Sequence, residues 1–188
     1  KPYIKHYYIF ESDSDKEFED TVFPSGEMEI IFNLGDGIWE SLVDQTFYKT
    51  PKIELWGQIT KPLAIKSKGK HTMLGIRFYT HTAAYFFKDE IGIFNNQIFD
   101  LEDIIGNPIK HLHDQLLETS DIKKRIELIE TFLIQKIITN DKISDKIEKV
   151  AHILSSLLND PTESNINSIS VKYGITPRYL HKLVFQHT

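Results

Sequence analysis

The chain has 188 residues, 27 of them acidic and 22 basic, for a formal net charge of −5. Its length suits one domain or one and a half, and an apolar fraction of 40% with 12 Phe and 8 Tyr excludes intrinsic disorder as the main state. With no Cys, disulfides, thiol catalysis and zinc ribbons are excluded; with no apolar run near 18 residues, no membrane span is expected and a soluble, cytoplasmic protein is.

Lys1 to Phe10 reads as a strand and not as a signal peptide. In Met28 to Leu34, Met28, Ile30, Phe32 and Leu34 share one face, while Glu29, Ile31 and Asn33 share the other. Ile53 to Ile59 and Leu63 to Ser67 also fit strands. In Thr72 to Tyr79, Leu74, Ile76 and Phe78 alternate with Met73, Gly75, Arg77 and Tyr79. Turn chemistry lies between these runs, at Pro24-Ser25-Gly26, Gly35-Asp36-Gly37 and Lys68-Gly69-Lys70. Short strands at this spacing predict a small antiparallel sandwich or barrel over residues 1–80.

The period changes near residue 80. Thr80 is placed to cap a short helix through Ala83, Ala84, Phe86 and Phe87. The aromatic run Tyr85-Phe86-Phe87 holds no cation, and only Lys88 follows, so it reads as core rather than as a base-stacking platform. Leu101, Ile104, Ile105, Ile109, Leu112, Leu116 and Leu117 mark a longer helical stretch with a break at Asn107-Pro108. Ile122, Ile126, Ile129, Leu133 and Ile137 mark another, preceded by Asp121. Its apolar stripe widens at Phe132 and Ile134, and we expect the helix Ile122 to Ile138 to contribute to a homodimer. Thr139 to Lys142 reads as a joint. Ile143, Ile147, Val150, Ala151, Leu154 and Leu158 then mark an amphipathic helix, followed by a polar loop at Asn159 to Asn165.

Residues 164–188 contain Lys172, Arg178 and Lys182 and no acid, so the preceding 163 residues carry −8. An acidic body with a small basic tail leaves only the tail suited to a polyanion. Ile166 to Leu183 fits a helix-turn-helix. Ser170 is a small residue for the close approach of two helices, and Gly174 tolerates positive φ in the turn. Ile169, Tyr173, Ile175, Leu180 and Leu183 are the apolar anchors, and Thr176-Pro177 is an N-cap followed by proline at N1. The positions left outside are Arg178, Tyr179, His181 and Lys182, which together with Thr176 are the candidate DNA-binding residues. The bland alternative is a plain helical hairpin.

Ile166 to Leu183 resembles the first helix-turn-helix of AraC-family transcriptional regulators, in which the position of Ser170 is usually Ala. The helix Ser144 to Leu158 resembles the one that precedes that motif. Pro24 to Asp36, Gly57-Gln58 and Met73 to Tyr79 resemble the amino-terminal sensor domain of a subset of these regulators. The resemblance implies an α+β chain: a cupin-like antiparallel β-barrel or sandwich, then helices, ending in a partial all-α DNA-binding domain. It implies a sensor and dimerisation domain over 1–140 (barrel 1–80, helices 81–140) and an incomplete helix-turn-helix domain over 141–188. The family's second helix-turn-helix is missing, since the chain stops at Thr188. With Lys1 in place of a start methionine, a fragment is expected.

Arg77 sits in a strand beside Ile76 and Phe78, where it needs carboxylate or carbonyl partners, and Glu29 is a candidate. Either the two form an internal ion pair that fixes the barrel, or Glu29, Asn33, Trp56, Gln58 and Arg77 line a pocket for a small-molecule effector. No metal, cofactor or catalytic residue is expected. His111 and His113 lie two apart on a helix, His71 and His81 are isolated, and the strands lack the His-X-His and later Glu of metal cupins. No Gly-X-Ser-X-Gly elbow or glycine-rich phosphate loop is present. The expected function is a bacterial sequence-specific DNA-binding transcription regulator, not an enzyme. The alternatives are a small cupin-like enzyme, or an interaction module that does not touch DNA.

Overall fold

The alternation of Met28 to Asn33 becomes the middle of a five-stranded sheet. The computed structural model describes residues 3–14, 16–43, 45–87, 90–139, 145–159 and 165–188. Among them, nine strands form two antiparallel sheets: β1 (Ile4–Ser12), β2 (Phe18–Val22), β3 (Glu29–Asn33), β4 (Ile38–Val43), β5 (Thr46–Lys49), β6 (Ile53–Trp56), β7 (Leu63–Lys68), β8 (His71–Phe78) and β9 (Ile98–Asp100). The larger sheet runs β1-β8-β3-β6-β9 and the smaller β2-β7-β4-β5. Helices follow: α1 (Leu101–Ile105), α2 (Asn107–Glu118), α3 (Ile122–Thr139), α4 (Asp145–Asn159), α5 (Ile166–Lys172) and α6 (Pro177–His187). The fold is α+β, as expected. Thr139, read as the start of a joint, instead ends α3; the rest of that joint to Lys142, most of the loop at Asn159 to Asn165, and Lys88 lie outside the described residues.

Strand pairing turns the period-two pattern into two distinct faces. Ile30 stands opposite Leu55 on one side and Ile76 on the other; Phe32 stands opposite Ile53 and Leu74. That face, with Phe78, packs against Ile109, Leu112 and Leu116 of α2 and Ile129 and Leu133 of α3. Phe86 and Phe87 are buried in the same cluster. The main hydrophobic core therefore lies between the larger sheet and the helices. Between the two sheets lies a smaller apolar group, Ile31, Trp56, Ile59 and Met73 with Ile65 of β7, interspersed with polar side chains.

The first helical turn after the strands differs from expectation. Thr82–Tyr85 is a 3-10 helix whose N-cap is His81, with no side-chain cap. The hydroxyl that matters belongs to Thr82, which donates to Tyr79 O at 3.0 Å and to Tyr3 O, tying β1 to the chain leaving β8. A second 3-10 helix, Ile91–Phe94, leads into β9. The break at Asn107-Pro108 is present: α1 ends at Ile105, and Pro108 occupies the first turn of α2. His113 is not free for a metal, because its Nε2 is 2.8 Å from Asn33 O and its ring stacks on Phe32.

Beyond the main cluster, a separate one forms from Val150 and Ile153 of α4, Ile169 of α5, and Leu180 and Leu183 of α6. Helix α4 belongs to both, since Ile147, one turn earlier, packs in the main core.

Candidate functional site

The space between the sheets holds a charged cluster that the register explains. Because β3 lies between β6 and β8, Glu29 is paired with Trp56 on one side and Arg77 on the other. Arg77 Nη2 donates to Glu29 Oε1, and Arg77 Nε lies 3.6 Å from Glu27 Oε2. Lys5 in turn pairs with Glu27. The Tyr8 ring lies near the Arg77 guanidinium, 5.7 Å from centroid to Cζ, and its hydroxyl donates to Glu29 Oε2 at 2.6 Å. Burial, followed by the Glu29 charge, raises the Tyr8 hydroxyl well above the usual phenol range, so it is a fixed donor at neutral pH. Both carboxylates near Arg77 are thus opposed by cations, as burial requires.

A second acid lies deeper. Glu54 is 1% exposed. It accepts hydrogen bonds from Thr50 Oγ1 at 2.7 Å and from Trp56 Nε1. Neither donor is charged, and burial pushes the carboxyl up to about 7. The reading of Ile53 to Ile59 as a strand did not single out Glu54, yet period two places it on the face of Trp56. A Glu two residues before a tryptophan, on the same face of an otherwise apolar strand, was the available signal.

The five candidate effector residues divide. Glu29, Trp56 and Arg77 share a rung. Asn33 braces the turn after β3: its Nδ2 donates to Gly37 O at 3.2 Å, and its Oδ1 accepts from Gly35 N at 3.1 Å. Gln58 lies past the end of β6 and donates to Thr80 O at 3.3 Å. Nearby, a pocket of about 360 Å³ opens at the edge of the sandwich, lined by Tyr48, Thr50, Leu63, Asn96, Gln97 and Ile98 among others. Thr50, one of the lining residues, is the one that donates to Glu54.

A buried Ser67 Oγ lies 2.6 Å from His71 Nε2. No partner reaches His71 Nδ1 among the described residues, and the ring is packed by Trp39 and Phe10. A nucleophile requires an oriented base and room for substrate; this pair is walled in and reads as a core hydrogen bond.

In the tail, α5 and α6 are joined through Gly174, whose φ of +62° is the left-handed conformation that favours glycine. Asn165 Oδ1 caps α5 by accepting from Asn167 N at 2.8 Å. Thr176 Oγ1 caps α6 by accepting from Tyr179 N at 3.2 Å. Ile169, Ser170, Leu180 and Leu183 are buried, and Tyr173 and Ile175 are half-buried. Thr176, Arg178, Tyr179, His181 and Lys182 are all exposed. Anchors at 180 and 183 turn one side of α6 inward, so the cationic and hydrogen-bonding side chains fall on the other.

Residues 1–100 match a family model described as Domain of unknown function (DUF6597). No curated protein matches the chain. Among solved structures, the chain is similar to ToxT from Vibrio cholerae in its P21 crystal form, at 10% identity and a TM-score of 0.47, covering 97% of this chain and 75% of that one. It is similar to the same degree to ToxT from Vibrio cholerae O395 bound to (E)-4-(8-methylnaphthalen-1-yl)but-3-enoic acid, at 10% identity and a TM-score of 0.47, covering 100% of this chain and 77% of that one.

Proposed function

The chain belongs to the DUF6597 family, and for this member we propose a transcription regulator that binds DNA through α6 and senses a small molecule in its sheet half. The observation that carries the reading is the composition of the outward face of α6. Arg178, Tyr179, His181 and Lys182 are exposed together on a capped helix, in a stretch of 25 residues with charge +3 and no acid. A helix of this size fits the major groove, roughly 12 Å wide, where Arg reads guanine and Lys meets phosphate.

Under this reading, residues 1–140 are the sensor and dimerisation domain and 141–188 the start of a helix-turn-helix domain. Glu29, Trp56 and Arg77 are the effector-facing set, and Asn33 and Gln58 act as braces beside them. Helix α3 supplies the homodimer contact, with Ile134 exposed on it. The protein works by binding and not by catalysis, in the cytoplasm, without metal or cofactor. The test is binding of the full-length protein to its own promoter DNA against unrelated DNA of equal length. Preference for the promoter supports the reading. Equal binding to both, or none, overturns it.

A further inference from the structure

Helices α2 and α3 follow one another with only Thr119 to Asp121 between them, and Arg125 Nε donates to Leu116 O at 3.1 Å to close that end. One side of each helix packs on the larger sheet. Away from the sheet the pair leaves a groove of about 480 Å³. Two stripes line it, His111, Leu112 and Gln115 on α2 and Leu128, Phe132 and Lys136 on α3. Steps of three and four residues keep a stripe on one helix face, so the groove follows directly from the packing of the two helices.

The lining has two chemistries side by side. Leu112 is buried, Leu128 and Phe132 are half-buried, and together they give the groove an apolar surface. Lys136 lines the same groove, with its Nζ 5.5 Å from the centroid of the Phe132 ring, so a cation stands over the aromatic face. Among the described lining residues there is no carboxylate, in a chain with 27 acidic residues and a net charge of −5. His111 and Gln115 add hydrogen-bonding groups. The volume lies within the range of small-molecule pockets, about 300–1,000 Å³. An apolar surface beside one ammonium, with no acid competing for it, suits a guest with an apolar body and a single negative charge. A cationic guest would be repelled by Lys136.

We propose that the groove between α2 and α3 is a binding site for a small organic carboxylate with an apolar body, its carboxylate on Lys136 and its body on Leu112, Leu128 and Phe132. The site is separate from the sheet half and stands whether or not the protein binds DNA. The test is titration of the full-length protein with biphenyl-4-carboxylate and with the neutral biphenyl-4-carboxamide, followed by calorimetry and by NMR of the backbone amides. The carboxylate is expected to bind about tenfold more tightly than the carboxamide and to shift the amides of α2 and α3. Lys136→Met keeps an apolar stem beside Phe132 and removes the charge. It is expected to weaken the carboxylate about tenfold and to leave the carboxamide unchanged. Thr131→Trp, at an exposed lining position, fills the groove and is expected to abolish binding of both probes, with an unchanged circular dichroism spectrum. No binding of the carboxylate at about 1 mM, equal affinity for the two probes, or undiminished binding by either variant overturns the site, as do shifts centred on the sheet-edge pocket. A groove closed by a second copy of the chain shows as a probe affinity that falls as protein concentration rises, and that result overturns it too.

Discussion

Tyr8 lies across Gly75, its ring in the space that a side chain at 75 would occupy. A Cβ on Gly75 would stand 2.1 Å from Tyr8 Cζ, because the two residues are paired across β1 and β8. The bare backbone lets the ring lie flat and carry its hydroxyl to Glu29. We expect Gly75→Ala to displace Tyr8, break its bond to Glu29 and cost ~1–3 kcal/mol. Urea unfolding measures the cost, and tyrosine fluorescence follows the ring. An unchanged midpoint would show that the ring has freedom to move aside.

The Arg77–Glu29 pair predicts a non-additive pattern. Arg77→Ala leaves Glu27 and Glu29 facing each other between the sheets, and with Arg77 partly open to solvent we expect a loss of ~1–3 kcal/mol. Glu29→Gln combined with Arg77→Met removes both charges and is expected to cost less than the two single changes together. A double-mutant cycle on unfolding free energies checks this; strict additivity would mean that the two side chains do not interact in solution.

Glu54 predicts a pH dependence of a definite sign. Its folded pKa, about 7, is above the ordinary carboxyl value of 4.5, so the folded state holds a proton that the unfolded state releases. The stabilising effect of that proton is complete below about pH 4.5 and is lost as pH rises through 7. Glu54→Gln retains acceptance from Trp56, while Thr50 turns its hydroxyl to accept from the new amide and donate to Trp39 O, already 3.4 Å away. We expect the variant to gain on the parent as pH rises from 4.5 to 8, by on the order of 3 kcal/mol. Parallel thermal melts across that range measure the difference; a constant difference refutes it.

For α6, Arg178→Ala in the full-length protein is expected to weaken promoter binding by ~1–3 kcal/mol if Arg178 reads a base. If it meets only phosphate, the loss is equal on all sequences and the salt dependence falls by about one counterion. Titrations at several salt concentrations separate the two. Unchanged binding on both DNAs removes Arg178 from the interface.

What was legible in the chain followed burial on one side. β3 and β8 carry a legible period of two because one face of each meets the helices and is wholly apolar, while the other mixes Ile31 and Met73 with polar residues, and α2, α3 and α4 carry stripes because one side of each is buried. Strands β2, β4, β5 and β9 were not read. β2 is an edge strand, Phe-Glu-Asp-Thr-Val, exposed along nearly its whole length, so no core imposes a pattern on it. β5 and β9 have four and three residues, too few for a period to register. Period two put Glu29 and Arg77 on candidate faces, but that they pair across one rung depends on β3 lying beside β8, a long-range choice that no local window contains. Glu54 escaped because a lone acid among Ile53, Leu55 and Trp56 looks like an outward residue until the second sheet covers it.

The division of the larger sheet into a face that meets helices and a face that meets the other sheet separates an apolar kind of cohesion from one that mixes apolar and paired polar groups. Ile30 and Phe32 lie on the side of β3 that meets the helices, and Glu29, Ile31 and Asn33 on the side that meets the other sheet. If the sheet half senses a small molecule, as proposed above, new specificity is acquired by exchanging the side chains of the second face as matched sets, with the scaffold held constant. A saturation scan of β3 is expected to accept only apolar replacements at Ile30 and Phe32 and to favour polar ones at Glu29 and Asn33. One strand would then record, in alternate letters, two different kinds of constraint.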